Sequence, residues 1–66
     1  MTKDEIVERV AEICDLADDD EAAHSAEDRL HQDVLQAIAN GKCDDPAVCA
    51  SEALRTNYIN FCRWCA

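Results

Sequence analysis

The stretch DDDEAAHSAEDRLHQDVLQAIANGKCDDP, residues 18–46, decides the fold. Leu30, Val34, Leu35, Ala37 and Ile38 recur at helical spacing, so the segment predicts a long amphipathic helix over roughly residues 19–40. Two caps compete for its start: Asp18 stands three residues before Glu21, and Ser25 stands three before Asp28. The earlier start fits better, because EAAHSAEDRL continues the same period. Asn40-Gly41 marks the end, where glycine is free to turn left-handed. Asp45-Pro46 then opens another helix, with aspartate as cap and proline at the first position, where its missing N–H costs nothing.

Upstream, TKDEIVERVAEICDLA reads as a first helix. Thr2 and Glu5 form a capping box, and acids in the first turn suit the helix dipole. Ile6, Val7, Val10, Ile13, Cys14 and Ala17 fall on one stripe, which places Cys14 in the core. Downstream, Ala47, Ala50 and Leu54 share a face of a short helix. Tyr58, Phe61, Cys62 and Cys65 recur at i, i+3, i+4 and i+7, the spacing of a last helical turn. No segment alternates as a strand does. The expected fold class is all-α: a small bundle of three to four helices in one domain spanning residues 1–66, with helices at roughly 3–17, 19–40, 46–55 and 58–65.

Sixty-six residues are few. A chain of this size buries only about 60% of its unfolded surface, so it needs good helix packing, a metal, disulfides or a second subunit. An apolar fraction of 48% is ordinary for a globular domain. No run approaches the roughly 18 apolar residues of a membrane span. The opening MTKDEIVERV is charged and unlike a secretory signal. The expectation is a soluble, cytoplasmic protein.

The net charge of −9 is unevenly spread. Residues 1–28 hold eleven acids against Lys3 and Arg9, while residues 29–66 hold four acids and four bases. All of the net charge therefore lies in the first half. This argues against direct binding to nucleic acid, whose phosphates require cations. It suits a basic surface on a partner protein, with Asp15, Asp18, Asp19, Asp20 and Glu21 as the candidate contact residues. The plainer reading is that these acids only keep a small protein soluble.

Two clusters could carry chemistry. Cys43, Cys49, Cys62 and Cys65 supply four thiols, enough for structural zinc. The Cys62/Cys65 spacing is usual for zinc, but five residues between Cys43 and Cys49 are too many, and no glycine lies near the second pair. An odd total of five cysteines is poor evidence for a disulfide framework. Reduced, small packing thiols are the favoured reading, with no cofactor and zinc as the alternative. In HSAEDRLH, His24, Asp28 and His31 lie at i, i+4 and i+7, and Glu27 precedes His31 by four. Two imidazoles and a carboxylate can bind a divalent metal. Glu27 and His31, however, extend the Val34/Ile38 stripe, so a buried polar network between elements is favoured. Its expected members are His24, Glu27, His31 and Arg63. No catalytic constellation assembles around Ser25 or Ser51, and one glycine makes no phosphate loop. An enzyme is not expected.

AAHSAEDRLHQDVLQAIANG followed by DPAVCASEALRTNYINFCRWCA resembles a loose group of small acidic proteins of actinobacteria and their phages, of no assigned function. The shared pattern is A-H-x-x-E-D at a long helix, V-L-x-x-I-A-x-G at its end, then A-L-x-T and F-x-R-W. It covers roughly residues 20–66 and includes His24, Glu27, Asp28, Gly41, Thr56, Phe61, Arg63 and Trp64. The resemblance implies ordinary apolar residues at Cys49, Cys62 and Cys65, and a phage-encoded protein that binds and blocks a host protein. The combined expectation is an acidic protein-binding module that occludes a basic surface, with nucleic-acid mimicry as one form of it. A homodimer anchored on Tyr58, Phe61 and Trp64 is a further alternative.

Overall fold

The computed structural model of the chain describes residues 1–63. Three α-helices follow in order: α1 Lys3–Asp15, α2 Asp20–Ala39 and α3 Pro46–Ala53, the last continued by a 3-10 turn, Leu54–Tyr58. Each α-helix touches the other two. The long dimension, 33 Å, is close to the roughly 30 Å that the twenty residues of α2 span at 1.5 Å each. The fold is a small all-α bundle.

Side chains set the helix starts. Thr2 Oγ1 accepts from Glu5 N at 3.2 Å, and Asp45 Oδ1 accepts from Ala47 N at 3.2 Å and Val48 N at 3.3 Å. At α2 the cap is Asp19, which accepts from Ala22 N at 3.1 Å, so the helix begins one residue later than an Asp18 cap would give. Gly41 takes φ +69° and ends α2, as the Asn40-Gly41 pair foretells. The backbone of Met1 then ties the start of the chain to the α2–α3 loop, its amine donating to Lys42 O and its carbonyl accepting from Asp44 N.

The core comprises Ile6, Ile13, Ala23, Leu30, Val34, Cys49, Ala53 and Phe61. Fully burying an isoleucine or leucine is worth about 1.5–3 kcal/mol, so Ile6, Ile13 and Leu30 supply much of the drive. Several expected core positions lie elsewhere. On α1, Val7 and Cys14 are exposed and Val10 only half-buried, as is Ala17 in the turn that follows, so the buried line is narrower than the apolar stripe. On α3, Cys49 and Ala53 face inward, while Ala47 and Leu54 are exposed. Leu35 of α2 also points to solvent.

The end of the chain departs most from expectation. α3 stops at Ala53 because the Ala53 carbonyl is occupied by the Thr56 hydroxyl at 3.1 Å and by His31 Nε2 at 3.2 Å, which tightens the backbone into a 3-10 turn. No helix forms over residues 59–63; Ile59 is extended at φ −81°, ψ 129°. The cause is Arg63. Its guanidinium takes the carbonyls of Thr56 (2.7 Å), Ile59 (3.1 Å) and Phe61 (3.3 Å), which a continuing helix would have needed for itself. The expected fourth helix at 58–65 is therefore replaced by a strap held through a side chain; Trp64 and Cys65 lie outside the described residues.

Candidate functional site

The acids of the first half form a line rather than a cluster. Asp4, Glu8, Glu12 and Asp15 are all exposed and succeed one another at i, i+4, i+8 and i+11 on α1. Successive carboxylates along this face rise about 6 Å apart. Asp18 in the turn and Glu21 in the first turn of α2 are exposed as well. Of the five acids singled out from the sequence, two are already engaged. Asp19 caps α2, and Asp20 Oδ1 accepts from the Cys62 N–H at 3.1 Å, pinning the strap to the start of α2. Asp15, Asp18 and Glu21 carry no hydrogen bond among the described residues. The contribution of Asp4, Glu8 and Glu12 is legible from their spacing, but a search for density of charge passes over it in favour of the DDDE run.

Like charges four apart on a helix repel by roughly 0.2–0.5 kcal/mol per pair. Asp15 also stands in the last turn, where the dipole favours cations and α1 has none. Arg9 pairs with Asp33 of α2 at 2.8 Å, and Arg9 and Arg29 share a surface pocket with Glu12, so the repulsion falls chiefly on Asp4, Glu8 and Asp15. The arrangement thus costs the free protein stability.

A second feature is a buried polar clasp. Glu27, with a side chain only 6% exposed, receives Arg63 Nε at 2.8 Å and Nη2 at 3.0 Å, a two-pronged pair. The guanidinium also lies 3.9 Å over the Phe61 ring. Burial pushes the Glu27 carboxyl up, but the Arg63 guanidinium, with the Thr56 hydroxyl and His31 behind it, outweighs that and holds its pKa below the usual value. Fully buried Thr56 joins the clasp to α2 through His31 Nε2 at 2.9 Å. The same Nε2 lies 3.2 Å from the Ala53 carbonyl. His31, Glu27 and Arg63 therefore meet around Thr56. His24 does not join them; its Nε2 lies 3.5 Å from Asp28 Oδ1 one turn along α2. No described buried side-chain nitrogen or oxygen lacks a partner. The clasp is a structural joint whose buried side-chain polar atoms are all paired within the protein.

The structure does not bring Cys43, Cys49 and Cys62 together. Cys43 follows the C-terminal end of α2 and lies against Cys49 of α3, whose sulfur is 4.0 Å from the Met1 carbonyl. Burial first, then contact with Cys49, pushes the Cys43 thiol above its ordinary value, away from the reactive thiolate form. Cys62 is tied to Asp20, at the opposite end of a helix about 30 Å long. Cys65 lies outside the described residues. A site using Cys43, Cys49 and Cys62 together is therefore incompatible with this fold. Among the described residues no three His, Cys, Asp or Glu side chains converge to hold a metal ion.

Between α1 and the 3-10 turn runs an open groove of about 750 Å³. Val7, Val10, Ala11, Cys14 and Ala17 form one wall; Tyr58 and Ile59 form the other. Tyr58 is 90% exposed, which makes it a ridge rather than a core residue.

Fold and clasp together define a small all-α protein whose C-terminal strap is locked by a buried ion pair. No family model matches the chain, and no curated protein or solved structure does so either. No helix among the described residues is long and apolar enough to cross a membrane.

Proposed function

We propose that this protein is a non-catalytic acidic module that binds a basic surface of a partner protein and occludes it, much as nucleic-acid phosphates would. The observation that carries the reading is the ordered acid line of α1, with exposed Asp18 and Glu21 after it. Acids needed only for solubility can be scattered at no cost, whereas this line accepts like-charge repulsion along a single face. Electrostatic steering by such a face speeds association and makes it sensitive to salt. The resemblance to small acidic phage proteins adds the more specific reading, a phage-encoded modulator or inhibitor of a host protein acting in the cytoplasm.

The test is affinity capture of the partner followed by titration of the purified pair. The complex weakens steeply between about 50 and 200 mM salt, as multi-charge contacts do. The triple variant Glu8→Gln/Glu12→Gln/Asp15→Asn binds at least tenfold more weakly, about 1.4 kcal/mol. An affinity indifferent to both salt and this variant would overturn the proposal.

A further inference from the structure

We infer that the groove between α1 and the 3-10 turn receives a single amphipathic helix of the partner, its apolar seam in the groove and its flanking lysines or arginines on the acid line. The inference rests on the acidic-module reading above and deepens it by naming the shape of the partner. Val7, Val10 and Cys14 succeed one another on α1 at steps of three and four, the seam that one helix offers another, and Ala17 in the turn after α1 closes that end of the groove. The bundle uses this wall only in part: Val10 and Ala17 are half-buried, while Val7 is 42% exposed and Cys14 is exposed. Small residues at Ala11, Cys14 and Ala17 let a second backbone approach to the usual 8–10 Å. Tyr58, almost wholly exposed on the far wall, provides an aromatic anchor. From Val7 to Cys14 the helical wall of the groove runs about 10 Å, or two helical turns.

Charge selects the occupant. On the α1 helical wheel, Asp4, Asp15 and Glu8 occupy the arc next to Ala11, so the apolar wall passes directly into the acid line. A cationic helix seated in the groove places its flanking charges over that line. A second copy of this chain would bring another net charge of −9 to the same edge, acids against acids. An anionic lipid surface is repelled for the same reason. Glu52, Arg55 and Asn60 also line the far wall, where Arg55 is paired with Glu52 at 3.3 Å and so adds no net charge; the groove is open along its length, which suits an elongated ridge and not an enclosed small molecule.

The probe is a synthetic peptide of about three heptads with leucine at the seam positions and lysine on the flanks, compared with a scrambled peptide of identical composition. Binding is read by fluorescence anisotropy. The seam peptide binds at least tenfold more tightly than the scrambled one. Ala11→Gln and Cys14→Gln, both neutral, helix-compatible and at exposed positions, each remove most of that preference while leaving helicity by circular dichroism unchanged. Tyr58→Ser, outside the α-helices, does the same and guards against a folding artefact in α1. Equal, salt-sensitive binding of both peptides, untouched by the groove variants, would overturn the groove assignment and leave the acidic module standing. Failure of both peptides to bind at low salt would overturn both. Self-association of the protein that Ala11→Gln abolishes would make a second copy the occupant and sink the inference.

Discussion

Arg63 and Glu27 are unequal partners, and the inequality is measurable. The Arg63 side chain is 32% exposed and can turn to water if its partner is lost; the Glu27 side chain, 6% exposed, cannot. Arg63→Met therefore leaves a carboxylate stranded in the core and costs about 3 kcal/mol at neutral pH, whereas Glu27→Gln costs about 1–2 kcal/mol. Chemical denaturation of the two variants checks the order, and equal losses would refute it. The pH dependence carries its own sign. In the native protein Glu27 has a pKa depressed from 4.5, so its contribution is present above about that value and disappears as pH falls through the depressed one. In Arg63→Met the stranded carboxyl is pushed up by burial, and the variant gains stability as it takes up a proton. The gap between the two proteins thus narrows from pH 7 toward pH 4. A gap that stays constant would mean that charge is not what joins them.

Helix ends are where the sequence speaks most plainly. Thr2, Asp45-Pro46 and Asn40-Gly41 act as their chemistry dictates, since a cap is a local bond between neighbours and needs no knowledge of the rest of the fold. Faces are harder. The apolar arc of α1 is wider than the bundle can cover, and only the placement of α2 and α3 decides that Ile6 and Ile13 go inside while Val7 and Cys14 stay out. The pairing of Arg63 with Glu27 is legible from the stripe position of Glu27. The strap is not: Tyr58, Phe61 and Cys62 have helical spacing, but one guanidinium competes successfully for the carbonyls a helix would use. Substitutions at two positions test the local ends. Gly41→Ala meets no atom within 4 Å, so its cost is backbone strain alone, about 1 kcal/mol, and Gly41→Asn costs less because asparagine tolerates the left-handed region. Asp45→Ala frees two amide donors at the start of α3 and costs about 1 kcal/mol. In a domain of this size each lowers the melting temperature by about 4–8 °C. Equal melting of Gly41→Ala and Gly41→Asn would show that φ does not govern that position.

At the scale of the molecule, charge sets stability and binding in opposition. A net charge of −9 is held in a body 33 × 19 × 14 Å. At about 0.01 M salt the screening length is roughly 30 Å, so carboxylates repel across nearly the whole length; at about 0.15 M it is roughly 8 Å, and only neighbours still interact. Adding salt over this range therefore stabilises the free protein by screening the repulsion between carboxylates beyond nearest neighbours. The same addition weakens a complex built on that line. Neutralising Glu8, Glu12 and Asp15 mimics the salt: it raises the melting temperature of the free protein, flattens its salt dependence, and weakens partner binding in one step. Solubilising acids predict the first two effects without the third. A melting temperature that stays flat or falls as salt is added would mean that the acid line is not under strain in the free protein, and would refute the opposition of stability and binding.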